Sequence, residues 1–283
     1  MIRRRFLQVA WRLGERVGHR TRPRLVAVGS WLLSLVPLPA VDQWARNVAA
    51  VTAAAPTRRQ RRELLASWLR NTLMSISLAT WTRAEIQARA HISPAEEQRL
   101  HESLAGPGLI LALPHLGSWD LAGSWAASVG IDVVSVAERL PGGMYESFRH
   151  ARMAMGIAIY PVDHPDLLRR LADDVRAGRM VCLLADRDLG GRGLRVAWPT
   201  PDGEVPLPMP AGPALLARLT GADLRVATAA FDRGTDAVRL RVSDPMPGST
   251  PAELSAALAR QFAAAVQAEP TSWLVLQPWE RGQ

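Results

Sequence analysis

Lysine is absent from this chain of 283 residues, and all 34 basic side chains are arginines. That excludes a lysine nucleophile, a Schiff base and the lysine of a Walker-type phosphate loop. Cysteine is nearly absent. The single Cys182 rules out a disulfide framework and a cysteine-based zinc cluster. It lies within the apolar run Met180–Ala185 (MVCLLA), where a thiol is inert core. The six histidines have no zinc-binding spacing, so no metal site is expected. No Gly-x-Ser-x-Gly motif marks a serine nucleophile. There is no internal repeat and no low-complexity linker. Hydrophobic residues make up 48% and charged residues 21%, which excludes a disordered chain. The length is ample for a sizeable core.

Acidic residues are scarce at one end only. Residues 1–62 carry 13 Arg against Glu15 and Asp42, whereas residues 63–283 carry 21 Arg against 24 acids. The net charge of +8 therefore belongs to the N-terminal segment. Such a segment has two usual partners, nucleic acid and an anionic membrane surface. Its neighbours favour the membrane. Arg3, Arg4, Arg5 and Arg12 sit beside Phe6, Leu7, Val9, Trp11 and Leu13, and Leu25–Val41 is largely apolar. Gly29, Ser30, Ser34, Pro37 and Pro39 interrupt that run. It is marginal against the roughly 20 apolar residues of a spanning helix. No small-x-small cleavage site closes it cleanly. The reading is a basic, amphipathic element lying on the membrane. A core helix with a solvated arginine face, and a true span or signal, are the other readings of the segment.

Residues 1–105 read as helical, most clearly Arg59–Trp81, whose Leu64, Leu65, Trp68, Leu69, Leu73, Ile76 and Ala79 recur at three- and four-residue steps. Gly106-Pro107-Gly108 ends this region. Short apolar runs then alternate with helical stretches. Strands are expected at Leu109–Leu113, Asp132–Ala137, Ile157–Val162 and Met180–Ala185. Helices are expected at Trp119–Val129, Tyr145–Met155 and Pro165–Ala177. Further strands are expected at Leu224–Ala230, Ala237–Val242 and Trp273–Leu276, with a helix over Pro251–Ala268. This predicts an α/β fold: a central mixed, mostly parallel sheet flanked by helices over residues 106–283, continuous with a helical, membrane-associating region over residues 1–105.

In open α/β sheets, ligands gather beyond the carboxyl ends of the strands. Three strand ends here deliver Pro114-His115, Glu138-Arg139 and Asp186-Arg187-Asp188. His115 and Asp120 are five residues apart, about 500° along a regular helix, which would splay them. Pro114, Gly117 and Ser118 argue for a turn instead. Ser118 then caps the following helix and Asp120 sits in its first turn, where its carboxylate is expected to reach back to the imidazole. A carboxylate on one imidazole nitrogen raises basicity at the other, as a general base requires.

The stretch Leu111–Asp120 (LALPHLGSWD) resembles the His-x4-Asp motif of bacterial glycolipid and lysophospholipid acyltransferases. The nearest branch contains the lipid A late acyltransferases and the actinobacterial phosphatidylinositol mannoside acyltransferases. Val136–Leu140 (VAERL), Val181–Gly190 (VCLLADRDLG) and Met209–Ala217 (MPAGPALLA) stand in the same order and context. The resemblance covers most of residues 60–280. The chain departs from the pattern at Leu194–Glu204 (LRVAWPTPDGE), where the family has a Phe-rich β segment.

The resemblance implies acyl transfer from a thioester, acyl-CoA or acyl carrier protein, to a hydroxyl of a membrane glycolipid, with no further cofactor. His115 would be the base and Asp120 its orienting group. Asp186 or Asp188 would give a second carboxylate contact to His115 or to the acceptor. Glu138 would accept sugar hydroxyls, and Arg152 and Arg149 would meet an anionic phosphate. Arg187 and Ser118 join the substrate-binding candidates. Met144, Met153, Met155 and Met209 are candidates for an acyl groove, against plain core filling. The implied location is peripheral, on the cytoplasmic face of the inner membrane. Against these stand surface pairing of Glu138 with Arg139, a structural network at 186–188, and an exposed helix face for Arg149 and Arg152. The competing functions are the same chemistry on another glycolipid or lysophospholipid, a nucleic-acid-binding protein suggested by the pI of 11.1, and a non-catalytic membrane scaffold.

Overall fold

The computed structural model describes residues 21–139, 144–188, 191, 193–232 and 234–279. The arginine-rich stretch of residues 1–20 lies outside the described residues.

Among the described residues three helices come first: α1 (Arg22–Leu33), α2 (Pro39–Thr52) and α3 (Arg58–Ser77). Pro37 and Pro39 divide the apolar run between α1 and α2, since proline starts a helix but does not continue one. A capping box of Thr57 with Gln60 opens α3. Short elements follow: α4 (Arg83–Gln87), β1 (Ala90–His91) and α5 (Pro94–Ala105). The alternating part then runs β2 (Leu109–Leu113), α6 (Trp119–Ser128), β3 (Val133–Ala137), α7 (Met144–Ala154), β4 (Ile157–Pro161), α8 (Leu167–Arg176) and β5 (Met180–Leu184). A hairpin of β6 (Leu194–Thr200) and β7 (Gly203–Met209) precedes α9 (Gly212–Thr220). Strands β8 (Asp223–Phe231) and β9 (Val238–Val242) and helix α10 (Pro251–Ala268) complete the order.

Seven strands form one sheet in the order β1-β9-β8-β2-β5-β3-β4. Strands β8, β2, β5, β3 and β4 are mutually parallel, and β9 runs antiparallel to β8. Each of β2's residues is buried, because helices cover both faces and a parallel strand then reads as an unbroken apolar run. Ile110 and Ala112 pack on one side with α2, α9 and α10, while Leu109, Leu111 and Leu113 pack on the other with α6. This alternation is the two-residue period of a strand.

The N-terminal helices share this core. Trp44, Val48 and Val51 of α2 and Leu64 and Leu65 of α3 belong to the same buried cluster as Ile110, Val181 and Leu224. Helix α1 is different. Arg22 and Val26 are buried, but Leu25, Val28, Trp31 and Leu32 are at least half exposed, as are Leu35 and Val36 beyond its end. Arg22 anchors the helix through Asp236 at 3.3 Å, the Ser77 hydroxyl at 2.9 Å and the Trp81 ring. No helix among the described residues is long and apolar enough to cross a membrane.

Two expectations need correction. Trp273–Leu276 is not a strand; only Trp273 makes an isolated bridge, to Leu116. Its polar backbone groups are spent elsewhere: Leu274 N–H donates to the His115 carbonyl, and the carbonyls of Trp273 and Val275 accept from the Trp44 and Asn47 side chains. Helix α8 begins at Leu167, two residues beyond Pro165.

Candidate active site

Strands β2 and β5 are parallel neighbours with Leu113 opposite Leu184. Two residues further along each strand, His115 and Asp186 come side by side. From β2 the chain turns into α6 on one face of the sheet, while from β5 it leads through the hairpin to α9 on the other. Neighbouring parallel strands whose continuations diverge leave a crevice at their carboxyl ends.

The His115 loop is pinned on both flanks. The Gly117 N–H donates to Ser272 O at 2.8 Å, the Ser118 N–H to Ala229 O at 2.9 Å, and His115 O accepts from Leu274 N–H at 2.7 Å. Gly117 has φ +68°, and a Cβ there would lie 1.8 Å from Ala229 O. Only glycine lets the loop lie this close to β8. Ser118 caps α6, its hydroxyl accepting from Leu121 N–H at 3.4 Å, and the same hydroxyl faces Met74 Sδ. It is completely buried, so it serves the loop rather than a ligand.

Asp186 is the carboxylate on the imidazole. Its Oδ1 lies 2.5 Å from His115 Nδ1, and its Oδ2 accepts from the His115 backbone N–H at 2.8 Å and from Trp273 Nε1 at 2.8 Å. The Asp186 side chain is fully buried, whereas the imidazole retains 22% exposure. Burial alone would raise the acid's pKa. The His115 charge and the hydrogen bonds from His115 and Trp273 outweigh it and hold Asp186 below the usual carboxylate range. An ionised Asp186 only accepts, so the shared proton sits on Nδ1 and leaves Nε2 as the basic nitrogen.

Asp120 is not the imidazole's partner. It lies in the first turn of α6 and accepts from Ser75 Oγ at 2.7 Å and from Arg152 Nε at 2.8 Å. The turn at residues 114–117 aims the imidazole toward β5, while Asp120 faces α3 and α7. Arg152, expected to meet a phosphate, is thereby committed to a largely buried ion pair with Asp120. Other expected site residues have partners of their own. The Asp188 carboxylate accepts from Gly193 N–H, Arg187 donates to Gln277, and Arg149 pairs with Glu146. Glu138 is exposed at the end of β3, and Arg139 pairs with Asp163 rather than with it.

An apolar groove of about 80 Å³, partly open to solvent, lies between α6 and the sheet. Leu113, Leu184 and Trp119 line it at the His115 end, and the Trp119 ring meets the imidazole edge-on at 5.4 Å. Met180, Cys182, Ile157 and Ile159 line its sheet side. Burial pushes the Cys182 thiol up to about 12, so it contributes surface and not a thiolate. Of the methionines expected here, Met155 and Met209 are buried core and Met153 is exposed. The Met144 side chain lies outside the described residues.

Trp273 and Ser75 act in this site without a local sequence signal. Their partners lie 87 and 45 residues away along the chain.

The sequence profile of the bacterial lipid A biosynthesis acyltransferase family matches residues 7–280. The chain belongs to that family. The phosphatidylinositol mannoside acyltransferase of Mycobacterium tuberculosis is 38% identical over 178 residues, covering 62% of this chain and 55% of the relative. The phosphatidylinositol mannoside acyltransferase of Mycolicibacterium smegmatis is 32% identical over 254 residues, 84% of this chain and 78% of the relative. The chain thus spans little more than half the length of the first relative. Within the His-x4-Asp stretch, His115 carries the partly exposed imidazole, and Asp120 holds α6 against α3 and α7.

Proposed function

We propose that the chain is an acyltransferase that moves a fatty acyl group from an acyl-CoA thioester to a sugar hydroxyl of a phosphatidylinositol mannoside, with His115 as general base. The observation that carries this reading is an imidazole fixed by a buried carboxylate beside an apolar groove. The acceptor class is taken from the two mannoside acyltransferases that the chain resembles.

His115 Nε2 takes the proton of the acceptor hydroxyl as its oxygen bonds to the thioester carbonyl carbon. The tetrahedral oxyanion collapses, the carbon–sulfur bond breaks, and the imidazolium returns the proton to the departing thiolate. Asp186 stays ionised throughout and stabilises the transient imidazolium. The thioester is already activated, so no acyl-enzyme is required. The N–H groups of His115, Leu116, Gly117 and Ser118 are occupied by protein acceptors. The first N–H groups of α6, on Trp119 and Asp120, are therefore our candidates for the oxyanion. Glu138, exposed beyond β3, is our candidate for the sugar hydroxyls. The outward apolar residues of α1 and the arginines before it suit a peripheral seat on an anionic membrane. An acyl-CoA donor puts that seat on the cytoplasmic face.

The test is a His115→Ala variant assayed with acyl-CoA and purified mannosylated phosphatidylinositol. Loss of about 10²–10⁴-fold in kcat is expected for removal of a general base. Near wild-type transfer by the folded variant refutes the mechanism. Transfer by the wild type only from acyl carrier protein, or only to another lipid, keeps the chemistry and corrects the donor or acceptor.

A further inference from the structure

Helix α6 carries a glycine in its interior, Gly123. Interior glycine destabilises a helix relative to alanine. The backbone does not require it, because Gly123 is not among the positive-φ glycines. The space does. A Cβ at 123 would lie 2.8 Å from Ile157 Cδ1 and 3.5 Å from its Cγ1, and both residues line the apolar groove.

Ile157 begins β4 and pairs with Val133, which in turn pairs with Met180 at the start of β5. In parallel strands these starts lie at the end of the sheet opposite His115 and Asp186. Leu184, at the other end of β5, also lines the groove. The groove thus follows β5 for four strand steps, roughly 13 Å at the usual rise.

We propose that Gly123 and Ile157 together set the length of acyl chain that the groove accepts. The missing side chain at 123 makes room for the end of the Ile157 side chain, which closes the groove between α6 and β4. This rests on the acyl-transfer reading above. A side chain at 123 pushes the end of Ile157 into the space of the last methylenes, and one methylene in an apolar pocket is discriminated by about 10–200-fold.

The experiment uses the purified full chain and a homologous series of saturated acyl-CoA thioesters. It reads thermal stabilisation by each thioester and the rate of transfer to mannosylated phosphatidylinositol. In Gly123→Ala and Gly123→Leu the optimum should move to shorter chains, with the longest wild-type ligands losing about tenfold or more. Shorter ones should be retained. Adding Ile157→Val to Gly123→Ala should restore the long-chain profile. Circular dichroism and the ligand-free Tm report folding, and the alanine variant, favoured by helix propensity, carries the test if the leucine variant does not fold. An unchanged length profile, or an equal fall at every length, overturns the proposal. A wild type stabilised by thioesters but transferring nothing overturns acyl transfer, and the stabilisation profile then decides the length limit. No stabilisation by any thioester overturns both.

Discussion

Asp186 grips His115 at two points, with one carboxylate oxygen on the imidazole Nδ1 and the other on the residue's own backbone N–H. Trp273 donates to the second oxygen, so the carboxylate cannot rotate without giving up two hydrogen bonds. The imidazole is therefore fixed in both tautomer and direction. Three segments far apart in sequence converge to do it: the ends of β2 and β5 and the stretch after α10.

An Asp186→Asn variant should fold and lose catalysis. An amide turns a donor toward groups that are already donors, and it no longer stabilises an imidazolium. The expected loss is about 10²–10⁴-fold in kcat with KM little changed. Steady-state kinetics measure both. A variant equal to the wild type in kcat would assign the orienting role to another group.

The depressed pKa of Asp186 carries a pH signature in stability. Its unfolded value is about 3.9, and the folded value is lower. The unfolded chain then binds more protons at acid pH, so this carboxylate's stabilisation is complete above about pH 4 and disappears as pH falls through the folded value. Urea unfolding at a series of pH values should show a steeper acid loss for the wild type than for Asp186→Asn. Parallel curves would contradict the depressed value.

Asp120 and Arg152 make a different prediction, because theirs is a bond that holds helices. The Asp120 side chain is 4% exposed and that of Arg152 is 18% exposed. Breaking a buried ion pair by removing one partner costs about 3–5 kcal/mol. Asp120→Ala should lower Tm strongly, and adding Arg152→Met should recover much of the loss. A cycle of the two variants by denaturant unfolding measures the coupling. Additive losses would show that the pair is not a unit.

These contrasts show what sequence makes legible. Strands β2, β3, β4 and β5 were readable because each is a short apolar run bounded by turns, with β2 buried at every residue. Helix α10 was readable to the residue because Thr250 and Glu253 form a capping box at its start. The hairpin β6–β7 was not, since Pro199, Pro206 and Pro208 argue against strands; a two-stranded ribbon tolerates them because each strand keeps an unpaired edge. His115 stood out through its position after β2. Its carboxylate partner was legible only in second place, Asp186 or Asp188 standing as a further contact beside Asp120. The near one in sequence, Asp120, is carried away by the turn at Gly117, and the actual one, Asp186, depends on β5 lying next to β2, an order that no local pattern encodes.

The outward apolar residues of α1 and of the turn after it supply the last prediction. Trp31 and Leu35 are 51% and 63% exposed, so replacing both with serine should change folding stability by less than about 0.5 kcal/mol each. Burying each such side chain in a membrane interface is worth about 1.5–3 kcal/mol when complete. The double variant should therefore partition into anionic vesicles at least about tenfold more weakly. Raising salt should weaken the wild type further through the arginines of residues 1–20, because screening shortens their reach to the lipid charge. Vesicle co-sedimentation at two salt concentrations reads both effects. Equal partitioning of wild type and double variant would remove α1 from the membrane contact, whatever the salt dependence.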